Sequence, residues 1–156
     1  MMRTRIAVVI VALSVMAAAA CFAANPQMGT WKLNEAKSKL APDMGKNTTV
    51  VYSEQKDKIK VTIDGVGKDG KPRHSVWVGK FDGKAYLVKG NNIPINSIAY
   101  RVINDRTNEV TAMKDGKLMW SGKIEVAADG KSRTATINGT DENGKKFKSK
   151  AVYDKE

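Results

Sequence analysis

The sequence predicts an all-β protein: an antiparallel up-and-down meander closed into a small β-barrel of about 8–10 strands. Two observations carry this expectation. Apolar and polar residues alternate at period two, most cleanly at Lys58-Ile59-Lys60-Val61-Thr62-Ile63-Asp64 and at Leu118-Met119-Trp120-Ser121-Gly122-Lys123-Ile124-Glu125-Val126, as strands do when one face is buried and the other wet. Between such runs a turn recurs, as Asp69-Gly70-Lys71, Asp82-Gly83-Lys84, Asp115-Gly116-Lys117, Asp129-Gly130-Lys131 and Asn143-Gly144-Lys145. Asp-Gly and Asn-Gly accept the positive φ angles of two-residue hairpin turns, so consecutive strands should pair antiparallel. A meander left open keeps aggregation-prone edges, and closing it removes them.

The first element is a leader over residues 1–23. Arg3 and Arg5 precede an uncharged stretch over 6–20, the order of a secretory signal and too short to span a bilayer comfortably. Cleavage after Ala23 leaves Cys21 and Ala23 at the small-residue positions, whereas cleavage after Ala24 would put Phe22 at one of them. A second reading takes Ala18-Ala19-Ala20-Cys21 as a lipobox lacking its usual Leu or Val, with Cys21 lipidated as a membrane anchor. The protein is therefore expected to be periplasmic or secreted, or lipid-anchored in the envelope if Cys21 is retained. Cys21 is the only cysteine, so a secreted mature chain has no disulfide or thiolate chemistry.

Residues 24–156 then form one domain, long enough to bury about two-thirds of its unfolded surface. A strand is expected over 30–34. A short helix over 35–40 follows, capped by Asn34 and stopped by Pro42. Further strands are expected over 48–54, 58–64, 74–81, 84–89, 97–104, 109–114, 118–126, 132–138 and 147–153. The stretch 91–96, with Pro94, reads as an irregular connection.

Charge narrows the partners. The chain carries a net +11, and without Arg3 and Arg5 the remaining 25 Lys and Arg stand against 16 Asp and Glu, a net +9. Lysine makes up 21 of those 25 cations and arginine 4. Lysine suits solubility and edge protection, and arginine suits planar recognition of phosphate, so nucleic acid is not expected. Lys146, Lys148 and Lys150 share the strand face opposite Phe147, Ala151 and Tyr153. They form either a solvated outer wall or a basic stripe for an anionic lipid or envelope polyanion. A monomer is expected.

Catalytic chemistry finds little to use. His74 is the only histidine, and its neighbour Ser75 should point to the opposite face of the strand, which separates base from nucleophile. Asp64, Asp69, Asp82, Asp115 and Asp129 each precede glycine and read as turn residues. No catalytic residue, metal site or cofactor is expected, because the ligand sets are missing. Gly65-Val66-Gly67 lies between two strands and offers no helix N-terminus to a phosphate.

Trp31 and Trp120 alternate onto the inward face with Leu33, Leu118, Ile124 and Val126. They are either plain core or, with Tyr86, Tyr100 and Tyr153, the lining of an interior ligand cavity, since barrels of about eight or more strands can enclose a small molecule. The face of Trp77 is left open.

Gly29-Thr30-Trp31-Lys32-Leu33 resembles the opening of lipocalins and fatty-acid-binding proteins, the calycin superfamily. The start Gly-Thr-Trp-Lys-Leu-Asn, the hairpins after it and the Val-Tyr ending also resemble small periplasmic proteins described as lipocalin-like. The resemblance covers nearly all of 24–156 in organisation and implies a barrel with the tryptophan plugging one end. Its function would be non-enzymatic: holding a small apolar or amphipathic ligand. The alternative is a basic interaction protein that contacts anionic envelope components. Three departures stand beside the match. Fatty-acid-binding proteins end in an Arg-x-Tyr that holds the ligand carboxylate, and here Ala151-Val152-Tyr153 has alanine in the arginine's place. The stretch 35–47 is too short for their two-helix lid. The Thr-Asp-Tyr motif of lipocalins has no counterpart near 97–101.

Overall fold

The computed structural model of the chain describes residues 25–156; the expected leader, its cleavage site and Cys21 fall outside them. Ten strands follow one another: β1 (Gly29–Leu33), β2 (Lys46–Gln55), β3 (Lys58–Val66), β4 (Pro72–Gly79), β5 (Asp82–Asn91), β6 (Ser97–Asn104), β7 (Thr107–Lys114), β8 (Lys117–Val126), β9 (Ser132–Thr140) and β10 (Lys146–Lys155). Each pairs with its sequence neighbours, and β1 also pairs with β10, placing Trp31 opposite Lys155 and Leu33 opposite Tyr153. The meander is thus a closed antiparallel barrel.

The expected helix after β1 is only a 3-10 turn, Glu35–Lys37. Asn34 caps it as anticipated, its side chain accepting from the Lys37 N–H at 3.2 Å. The chain then leaves the turn because β10 captures it: the Lys39 N–H donates to the Lys150 carbonyl at 2.8 Å, and the Lys150 N–H donates back at 2.9 Å. A single turn fixes too few hydrogen bonds to compete with sheet pairing.

The hairpin turns also differ in kind from the expectation. Only Asp115-Gly116 has positive φ at both residues, 50° and 77°, as a two-residue type I′ turn requires. At Asp69-Gly70 and Asp129-Gly130 the glycine alone is left-handed. There the aspartate Oδ1 accepts from the backbone N–H two residues on, at 3.0 Å from Lys71 and 2.9 Å from Lys131. These loops are longer, and the aspartate side chain does the work of a backbone turn bond.

Alternation sorts the core. Trp31, Val50, Tyr52, Val61, Trp77, Ile98, Tyr100, Val110, Ala112, Ile124, Val126 and Tyr153 are buried together inside the barrel. Trp77, whose face the alternation left open, points inward, and its indole N–H donates to the Ile98 carbonyl at 2.9 Å. Its ring meets Tyr100 edge-on at 4.8 Å and Tyr86 at 5.6 Å, contacts worth about 0.5–1.5 kcal/mol each beyond burial. Leu118 does not join the inward set. The register slips between Ala112 and Met113, so that Ala112 faces Trp120 while Met113 faces Leu118. The extra residue reverses the alternation before Trp120, and Leu118 is left 58% exposed.

The two ends of the barrel differ. One end gathers the β2–β3, β4–β5, β6–β7 and β8–β9 turns and is sealed by the segment preceding β1. Gln27 in that segment is buried; its carbonyl accepts from the Trp31 indole N–H at 2.9 Å, and its side-chain amide donates to the Arg106 and Ile124 carbonyls at 3.3 and 3.4 Å. The opposite end carries the β1–β2 and β5–β6 connections, which stand around an opening.

Candidate functional site

Below that opening lies an interior cavity of about 160 Å³. Its wall is largely aliphatic, with Val50, Ile63, Val88, Ile98, Val110, Ile124 and Ile137 pointing inward from successive strands. Ala135 and Ala151 face each other across β9 and β10 and leave room where larger side chains would fill the barrel. A wider hollow of about 490 Å³ sits at the mouth. The two share Met44, Arg73, Ile93, Pro94 and Ile95, so the mouth leads into the interior. The stretch 91–96, read from sequence as an irregular connection, forms part of this rim. Arg73 ties the rim together, donating from Nε to the Asn92 carbonyl at 3.2 Å and from Nη2 to the Met44 carbonyl at 3.1 Å.

Of the five aromatic residues expected to line an interior site, Tyr100, Trp120 and Tyr153 do so. Trp31 and Tyr86 lie elsewhere. Trp31 is fully buried at the sealed end. Tyr86 packs on Trp77, and its hydroxyl donates to Asp82 Oδ2 at 2.8 Å. That bond, after the Lys84 N–H, holds the Asp82 carboxyl below its usual range and raises the Tyr86 phenol.

The side chain that alternation did not single out is Arg133. It is 3% exposed, lines the cavity, and presses its guanidinium against three rings, with Cζ 5.0 Å from the Trp31 ring centre, 4.7 Å from Tyr52 and 5.1 Å from Tyr153. Its hydrogen bonding is sparse for a group with five N–H donors. Nη1 reaches Gln27 Oε1 at a long 3.5 Å, and Nε is buried with no partner. Among the described residues no carboxylate lies within 4 Å of it, and it is the one ionic side chain among those that are buried. A signal for it was present: Arg133 shares its strand face with Ala135 and Ile137, so period two alone points it inward.

Two phenols of the interior are shifted upward. Burial pushes Tyr153 up to about 12, partly offset by the nearby Arg133 charge. Burial, followed by the neighbouring Tyr52 phenol, raises Tyr100 well above its ordinary value. The interior therefore offers apolar walls, O–H groups that keep their protons, and one unneutralised cation.

His74 and Ser75 do point to opposite faces: Ser75 is buried and His74 exposed. Asp64, expected in a turn, instead lies within β3 opposite His74, with its Oδ1 2.6 Å from His74 Nδ1. The pair sits on the outer wall with both side chains more than half exposed. Among the described residues no group of three or more His, Cys, Asp or Glu side chains could hold a metal ion. Lys146, Lys148 and Lys150 are exposed on the outer face of β10, opposite Thr140, Asn138 and Thr136 of β9. No helix of the described residues is long and apolar enough to cross a membrane. No family model and no curated protein matches this chain.

Proposed function

We propose that the protein is an exported, lipocalin-like carrier that holds a small apolar or amphipathic molecule in its barrel and performs no catalysis. The observation that supports this most is the aliphatic cavity that opens through the β5–β6 and β1–β2 rim. An interior space of about 160 Å³ is comparable to engineered apolar cavities of about 150 Å³ that take up benzene, while ordinary ligand pockets begin at about 300 Å³. The occupant therefore places a compact group in the interior and any longer tail in the mouth. Native mass spectrometry of protein purified without denaturation, followed by organic extraction, tests the reading. A discrete adduct that the solvent releases is expected. Bare protein mass in repeated preparations, together with no uptake of small aromatic ligands, overturns it.

A second reading rests on the outer wall. Lys146, Lys148 and Lys150 face threonine and asparagine rather than acids on β9, so their charge is available to an anionic lipid or polyanion. Retention on vesicles containing anionic lipid should then fall as salt rises, because exposed charges are screened over about 10 Å at 0.1 M. Retention that is indifferent to salt, or to charge reversal at the three lysines, excludes it.

A further inference from the structure

Arg133 is an expensive residue to keep inside a barrel. A buried cation loses its hydration and is ordinarily held by a carboxylate and a full set of acceptors. Here it has neither. Its compensation within the chain consists of the faces of Trp31, Tyr52 and Tyr153 and one long bond to Gln27. Ring faces offset part of the hydration that a cation loses on burial, but they accept none of its N–H groups, and Nε is left without a partner. The carboxylates seen in ion pairs, including Asp64, Glu109 and Glu142, are more than a third exposed and belong to the outside of the fold. Among the described residues no carboxylate pairs with Arg133, and the cavity is the space beside the cation that is open to an anion from outside.

We infer that the base of the cavity is an anion site, and that its occupant is a compact monocarboxylate held against Arg133, with its apolar body among Ile63, Val88, Ile98 and Ile137. The inference rests on the carrier reading and deepens it by assigning the ligand's chemistry. A single cation calls for a single negative charge, and the aliphatic wall calls for an apolar remainder. The planar fork of arginine suits a carboxylate better than a spherical anion. Tyr100 and Tyr153 line the same space and supply O–H donors without adding charge.

The test compares benzoate with benzyl alcohol, ligands of similar size that differ in charge, by isothermal titration calorimetry at pH 7 in low and high salt. Benzoate should bind at least about 10-fold more tightly, the factor expected when a charged hydrogen bond contributes about 1.5–3 kcal/mol. That preference should survive salt, because a buried pair is screened little. Arg133→Gln should abolish the preference while keeping uptake of benzyl alcohol, and Arg133→Lys should retain part of it. If Arg133→Gln does not fold, the ratio measured on the unaltered protein still decides. Equal affinity for the two ligands overturns the anion site and leaves the carrier reading standing. Benzoate binding that disappears with salt assigns it to the outer lysines and also overturns the inference. Binding of neither ligand overturns both.

Discussion

Filling the cavity should make the protein more stable and less able to bind. Ala135→Leu is the sharpest perturbation, because Ala135 lines the cavity and its partner across the β9–β10 ladder is another alanine, Ala151. An empty apolar cavity costs about 24 cal/mol per Å³. For a cavity of about 160 Å³ the ceiling on what filling can recover is therefore about 4 kcal/mol. Leucine adds three carbons, about 2.4 kcal/mol at about 0.8 kcal/mol per buried CH₂. Ordering its side chain returns about 0.5–1 kcal/mol of that. A net gain of about 1.5 kcal/mol is expected, which raises Tm by about 5 °C for a domain of this length. Far-UV circular dichroism melts of the ligand-free protein and the variant measure this gain. The same melts with a small aromatic ligand measure the loss of binding: at 100 times Kd a ligand stabilises its protein by about 2.7 kcal/mol, and the variant should show almost none of that. A variant destabilised by more than about 1 kcal/mol would mean that the space is not there. One that is stabilised yet still binds would mean that the ligand goes elsewhere.

Three further outcomes follow from the geometry. Gly122→Ala should destabilise by about 3 kcal/mol in urea unfolding, since its Cβ would run into the Thr136 carbonyl and lie 2.8 Å from Ile137 Cα, backbone that cannot give way without loosening the β8–β9 ladder; a cost below 1 kcal/mol would refute that packing. Trp77→Phe removes the donor to the Ile98 carbonyl and should cost about 1–3 kcal/mol, with an unchanged urea midpoint as the contrary result. Alkaline stability should fall between about pH 10 and 12. The Tyr153 phenol is held at about 12 in the folded state against 10.0 ordinarily, so between these values the folded chain binds the extra proton; the contribution is fully present below pH 10 and is lost as pH rises, on the order of 3 kcal/mol in all. Tyr153→Phe should make that limb shallower, with buried Tyr100 still contributing to it, and an identical pH profile for the variant would show that the phenol is not buried.

The strands were legible because period-two alternation and turn glycines are local signals, and a barrel that is wet outside and dry inside imposes both along the chain. Where the period held, inward placement followed from it, as at Trp31, Ile124 and Tyr153. It failed at Leu118, because a bulge is a disagreement between two strands and is written in neither alone. The helix expected after β1 shrank to a 3-10 turn for a related reason. Its competitor was Lys150, more than a hundred residues away. Asp64 carries a turn signal from its neighbour Gly65, although its place is set by the β3–β4 ladder that brings His74 to it.

The candidate site was less legible than the fold. Tyr100, Trp120 and Tyr153 could be placed inside by alternation, whereas at Arg133 two local signals disagree: its strand position points inward with Ala135 and Ile137, and its charge points to the surface. The antiparallel hairpins, their approximate limits and most of the inward-facing residues are local properties, since each depends on near neighbours in the chain. The pairing of β1 with β10, the cavity left between opposite walls and the cation that sits in it without a carboxylate arise from the closed barrel. Those facts depend on which distant side chains share one enclosed volume, and no local pattern records how that volume is filled.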